Sequence, residues 1–180
     1  MKNSNKTAYF SVKEIAFLSL FTAAAVVGRT LLHPLPNVQP MTVIFLLIVL
    51  SLGFSRGMIV AILSLVITNL YMGMGIWTVT QIISYGVVLA VQGVLCLSAR
   101  YRQGKILQLL YSISAGFLYG LVISWLSVKL YGFPHFWPYY LQGLSFDALH
   151  ACGNGVFYVL LAPVFRQLIH RFYPKKDKIS

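Results

Sequence analysis

The sequence predicts an all-α polytopic membrane protein with six transmembrane helices and both termini in the cytoplasm. Three observations predict it: an apolar composition, apolar runs of bilayer length, and Lys and Arg residues confined to alternate loops. Of 180 residues, 58% are hydrophobic and 9% charged, too few polar groups to cover a water-soluble globule. The length allows one domain over residues 1–180. The runs are too long for barrel strands, and lipid offers no partner to a bare peptide group, so each crossing is helical.

A crossing takes about 20 residues. The first covers 12–32 and ends at His33-Pro34-Leu35-Pro36-Asn37, because proline removes a donor and restricts the residue before it. The run 41–71 carries Arg56 in its middle. As one helix it would hold the guanidinium near mid-bilayer, at a cost of about 3 kcal/mol or more. As two short helices, 41–54 and 57–71, it turns at Gly53-Phe54-Ser55-Arg56-Gly57 and Arg56 reaches the interface. Each then has roughly 14 residues and needs tilt or protection by protein. Gly73-Met74-Gly75 makes the next break, followed by crossings at 78–99, 106–128 and 139–165.

The charges fix the orientation. The chain has 14 Lys+Arg against 3 Asp+Glu, a net +11. Six crossings place Lys2, Lys6, Lys13, Arg56, Arg100, Arg102, Lys105, Arg166, Arg171, Lys175, Lys176 and Lys178 inside. Only Arg29 and Lys129 fall outside, the asymmetry that cytoplasmic loops show. Five crossings would put the Arg100–Lys105 cluster and the basic tail on opposite sides. The cations sit singly between apolar runs, not in a patch interleaved with aromatics, which argues against nucleic acid. Trp77, Trp137, Tyr139 and Tyr140 lie near the outer boundary, where aromatic belts form. A cleavable leader ending at Ala23-Ala24-Ala25 is disfavoured, since Lys13 and Glu14 interrupt its approach and its loss would undo the topology. Cys96 and Cys152 fall in apolar runs and read as small hydrophobes, with neither a disulfide framework nor metal-ligand spacing.

Three groups of residues are candidates for function. Asp147 is the only acidic residue between Glu14 and Asp177, and it lies inside an apolar helix, where a carboxylate normally faces protein or a water-filled cavity. His150 and Asn154 follow at i+3 and i+7 on the same face. The stripe is either a hydrogen-bond network between helices or the polar part of a ligand cavity. Arg29 lies at similar depth, roughly 7 to 13 Å below the outer helix ends. It is expected to pair with Asp147 or share a ligand network with it, unless it snorkels to the outer headgroups. The second group is Asn69, Tyr71, Gly73, Met74, Gly75, Trp77, Thr78 and Gln81, with Tyr85 and Gln92 continuing one face. A Gly-x-Gly turn lets backbone approach a flat ligand, although single amides also join membrane helices. The third is the small-residue side of the first crossing: Ser19 with Ala23, and Ala24 with Gly28, each four apart. Such spacing admits a close helix, internal or from a partner. There is no Walker phosphate loop, HExxH or GxSxG, so no ATPase of its own is expected. One intramembrane carboxylate without an inverted repeat also disfavours a self-sufficient ion-coupled carrier.

At these residues the chain resembles the substrate-binding membrane subunit, or S component, of energy-coupling-factor (ECF) vitamin transporters. The resemblance covers nearly the whole chain. It is carried by Gly28-Arg29, by Leu35-Pro36-Asn37-Val38-Gln39-Pro40-Met41-Thr42, by Asn69 through Thr78, and by Phe146-Asp147-Ala148-Leu149-His150-Ala151-Cys152-Gly153-Asn154. It implies a pocket built from the outer halves of the helices and their loops. The expected substrate-binding residues are Arg29, Asn37, Gln39, Asn69, Tyr71, Trp77, Gln81, Tyr85, Asp147, His150 and Asn154. It further implies two kinds of partner: a transmembrane coupling subunit (T component) and two cytoplasmic ATPases, which use ATP while the S component holds no cofactor or metal. Such families contact the coupling subunit through an Ala-x-x-x-Ala pattern on helix one. Here the nearest matches are Ser19-x-x-x-Ala23 and Ala24-x-x-x-Gly28, and either could make the contact.

The stretches look most like the cobalamin-specific branch, and amides with aromatics around a roomy pocket would suit a corrinoid. Pantothenate, folate, riboflavin or a queuosine precursor also fit the chemistry. Two readings of other classes stand beside transport. One is an intramembrane enzyme using Asp147 and His150 as an acid/base pair; the other is an assembly subunit acting through its small-residue face.

Overall fold

The computed structural model describes residues 10–172, which form seven helices and no strand. They are α1 (Val12–Leu31), α2 (Met41–Leu52), α3 (Phe54–Met72), α4 (Trp77–Leu95), α5 (Ala99–Gln103), α6 (Lys105–Tyr131) and α7 (Phe136–Phe172). Five are long and apolar enough to cross a membrane, and α2 is a shorter apolar helix. Lys2, Lys6, Lys175, Lys176 and Lys178, all expected inside, lie outside the described residues.

Ser11 starts α1 by accepting the Glu14 N–H at 3.2 Å, a Ser-x-x-Glu start that satisfies an otherwise orphaned donor. Glu14 then pairs with Arg56 of α3 at 2.8 Å, and the Arg56 guanidinium lies over the Phe10 ring. The beginnings of α1 and α3 are thereby tied together. The expected five-residue turn between α2 and α3 is a correction. Gly53 alone reverses the chain, at φ 93, a conformation that costs a residue without Cβ little. Arg56 therefore sits inside α3, in its first turn, with Glu14 as its partner. In consequence α3 has 19 residues and α2 only 12, not two helices of equal length.

That inequality shapes the molecule. A 12-residue helix is about 18 Å long, short of the roughly 30 Å hydrocarbon layer. It survives because protein surrounds it: every residue from Met41 to Val49 is buried. The outward faces of the other helices carry exposed Leu20, Val27, Ile67, Val87, Leu121 and Val156, which suits lipid.

The tightest pairing is α6 on α7. Gln108, Ser112, Gly116, Gly120 and Ser124, four apart, all lie on the buried face of α6. A Cβ on Gly116 would come within 2.6 Å of the Ala151 nitrogen, and one on Gly120 would collide with the Asp147 carboxylate. Small side chains here let the backbones meet. Several boundaries also move, the last helix running on to Phe172 and α6 to Tyr131 where 165 and 128 were expected. The fourth crossing ends at Leu95, and a separate turn of helix, α5, precedes α6. The last helix starts at Phe136, because Pro138 lies in the first turn, where no N–H is needed.

Candidate functional site

A hollow lies near the N-terminal end of α2, and the loop 32–40 forms part of its wall. Val38 meets Gly153 of α7, and Pro40 fills the space that a Cβ on Gly28 would take. Asn37, at φ 56, adopts a left-handed conformation that Asn tolerates; its amide reaches the Phe146 carbonyl at 3.5 Å. What remains open is a cavity of about 280 Å³ lined by Arg29, Leu32, His33, Leu35, Pro36, Asn37, Gln39, Met72, Gln81, Tyr119 and His150. Two other hollows, of about 420 and 460 Å³, are lined chiefly by aliphatic side chains such as Val94, Leu97, Val79, Ile83 and Leu130. Those five residues are exposed on the outer face of the bundle, where lipid chains lie.

The polar cavity is set by a chain of buried bonds. His150 is 1% exposed. Its Nε2 lies 2.8 Å from Thr42 Oγ1, and the same oxygen lies 3.0 Å from Tyr85 Oη. Tyr119 packs edge-on to the His150 ring and lies against Tyr85. On the opposite wall Arg29 Nη1 donates to Thr68 Oγ1 at 2.8 Å, and Thr68 donates to the Ser64 carbonyl at 2.7 Å. Asn69 donates to Gln81 Oε1 at 2.7 Å and to Thr78 Oγ1 at 2.9 Å. His150 Nδ1 is buried without a hydrogen-bond partner.

The structure sorts the expected site residues into three groups. Arg29, Asn37, Gln39, Gln81 and His150 line the cavity together. Asn69 and Tyr85 stand one layer behind, bonded to Gln81 and Thr42. Tyr71 and Trp77 are exposed and outside the cavity wall, as are the buried Asp147 and Asn154. The expected Arg29–Asp147 pair is not formed. Asp147 lies against Gly120 of α6, whereas Arg29 turns toward α3, and Glu14–Arg56 is the one ion pair among the described residues. The two side chains lie on helical faces that point to different neighbours. Thr42, Thr68 and Tyr119 complete the site without having been singled out for it, and His33 of the helix-breaking stretch joins them in the lining. Of these, Thr42 lay within a quoted stretch and Thr68 beside Asn69, the only signals the sequence offered. Among the described residues no group of three or more His, Cys, Asp or Glu could hold a metal ion.

Helices long and apolar enough to cross a membrane, packed around a polar cavity, define a multi-pass membrane protein. Residues 13–171 match the family described as ECF transporter, substrate-specific component. The chain belongs to that family and is a multi-pass protein of the bacterial plasma membrane. No curated protein and no solved structure matches it. Members of the family are substrate-binding transport subunits.

Proposed function

We propose that this chain captures a micronutrient in the cavity above α2 from the outer side of the membrane. A transmembrane coupling subunit and two cytoplasmic ATPases then drive its release inward. The observation that carries the reading is the cavity itself: polar groups of α1, α4 and α7 converge on one space inside an apolar bundle, where unfilled hydrogen-bonding capacity is costly. The distribution of Lys and Arg supports the sidedness. Asp147 and Asn154 act in this reading by holding α7 against α6, and Tyr71 and Trp77 by closing the outer surface beside the cavity.

Helix α1 offers the coupling face. Ser19, Ala23 and Ala24 are exposed, whereas Gly28 is occupied by Pro40. The Ser19–Ala23 stripe is therefore the free one. A corrinoid remains the second reading, favoured by the sequence stretches alone; about 280 Å³ is at the lower limit for drug-sized ligands, so loop 32–40 would have to part for it. The test is co-expression with a coupling subunit and its ATPases. Recovery of a complex that an Ala23→Leu variant fails to form, with ATP-dependent uptake of a vitamin by proteoliposomes, is expected. A chain that forms no such complex would overturn the assignment of partners.

A further inference from the structure

The strongest donor facing the cavity is Arg29. Arg29 is the one cationic side chain in its lining, and no carboxylate lies within 4.0 Å of it among the described residues. Its single side-chain bond is the one to Thr68, which leaves most of a guanidinium's five donors for something else. Two acceptors beside it are already engaged. Gln81 Oε1 already receives Asn69, so its NH₂ is the free end. Thr68 Oγ1 receives Arg29 and gives its proton to Ser64.

The end of α2 adds to this. Its first internal backbone bond is Ile44 N–H to the Pro40 carbonyl, so the N–H groups of Met41, Thr42 and Val43 have no helical acceptor. Pro40 gives no side-chain cap, and the Thr42 hydroxyl is engaged by Tyr85 and His150. Gln39, two residues ahead of the helix, borders the cavity. The positive end of a 12-residue helix therefore begins two residues beyond the cavity border, and such ends attract anions. A third feature is the buried His150 Nδ1, in the same lining and without a hydrogen-bond partner. Leu32, Leu35, Met72 and the Tyr119 ring supply an apolar remainder.

Resting on the reading of this cavity as the substrate site, we infer that it takes a small organic anion, a carboxylate with a compact apolar or aromatic body. The carboxylate lies between Arg29 and the N-terminal end of α2. The volume of about 280 Å³ corresponds to roughly nine waters at about 30 Å³ each, which sets the scale of the body. Charge and size together are the selectivity device: a neutral isostere leaves a desolvated guanidinium unpaired, and a large ring system does not enter.

The full-length protein in lipid nanodiscs is titrated calorimetrically with acids and their neutral analogues. The pairs are nicotinate with nicotinamide, p-aminobenzoate with p-aminobenzamide, pantothenate with panthenol, and biotin with biotinamide; cyanocobalamin is the large probe. At least one acid is expected to bind about tenfold or more tightly than its analogue. That preference should disappear in Arg29→Gln and persist in Arg29→Lys, a rescue that a purely structural arginine would not give. Equal binding within every pair, no binding of any acid, or binding of cyanocobalamin alone overturns the inference. Because the complex with the coupling subunit is scored separately, a failure here leaves that assignment standing.

Discussion

One face of α7 carries two buried polar clusters, and they differ in whether their hydrogen bonds close. Toward the inner end, Tyr158 donates to Gln108 Oε1 at 2.7 Å, and Arg166 donates to the same oxygen at 2.8 Å and to Tyr158 Oη at 2.9 Å. Gln108 Nε2 donates to the carbonyls of Tyr101 and Arg102, both at 2.9 Å. Tyr101 in turn donates to Gln92 at 2.6 Å, and Gln92 to the Leu46 carbonyl at 3.3 Å. Burial raises the Tyr101 phenol above its ordinary pKa, so it stays a donor at physiological pH. Toward the outer end the pattern reverses: Asp147 Oδ2, His150 Nδ1 and both amide atoms of Asn154 are buried without partners. A buried group left unpaired costs about 1–3 kcal/mol. The closed cluster is therefore architecture, a clasp joining α4, α5, α6 and α7. The open one has unused bonding capacity, and of its three residues only His150 faces the cavity, while Asp147 and Asn154 sit in the α6–α7 seam.

The contrast can be broken by separating stability from binding. Gln108→Leu removes four hydrogen bonds and leaves Arg166 with Tyr158 alone. Unfolding in detergent should fall by about 2–4 kcal/mol, with substrate affinity unchanged among molecules that remain folded. If unfolding does not move, the clasp is not structural. Gly120→Ala places a methyl group against the Asp147 carboxylate. Its expected cost is about 1–3 kcal/mol, read by the same unfolding curve, and a neutral result would mean that α6 and α7 separate easily. Arg29→Gln should change stability by under about 0.5 kcal/mol, since it forfeits one hydrogen bond to Thr68 and relieves a buried charge. A loss as large as that of Gln108→Leu would make Arg29 part of the architecture instead.

Much of the fold was legible because hydropathy and proline placement are read along one dimension. The crossings starting near Val12, Met41 and Thr78 followed from apolar run length together with the proline and glycine breaks between them. The single-residue turn at Gly53 was not legible, because Phe54, Ser55 and Gly57 looked equally able to turn; the Glu14–Arg56 pair, distant in sequence, decided it. The spacing of Ser112, Gly116, Gly120 and Ser124 was visible in the letters but lay inside a run already explained as a crossing. At the site, polar type and depth pointed to Arg29, Gln81 and His150. Which way a side chain faces is a matter of helix azimuth, and that separated Asp147 from Arg29. Thr42 and Thr68 gave no compositional signal, since a threonine in an apolar helix ordinarily bonds its own backbone.

The most direct test asks from which side the open cluster is reached. In a background with Cys96→Ser and Cys152→Ser, His33→Cys in the cavity lining and Ser98→Cys at the α4–α5 junction are each labelled in intact cells with a membrane-impermeant maleimide. Position 33 should label at once, and position 98 only after permeabilisation. Labelling at 98 in intact cells with none at 33 would place the cavity on the cytoplasmic side and contradict capture from outside.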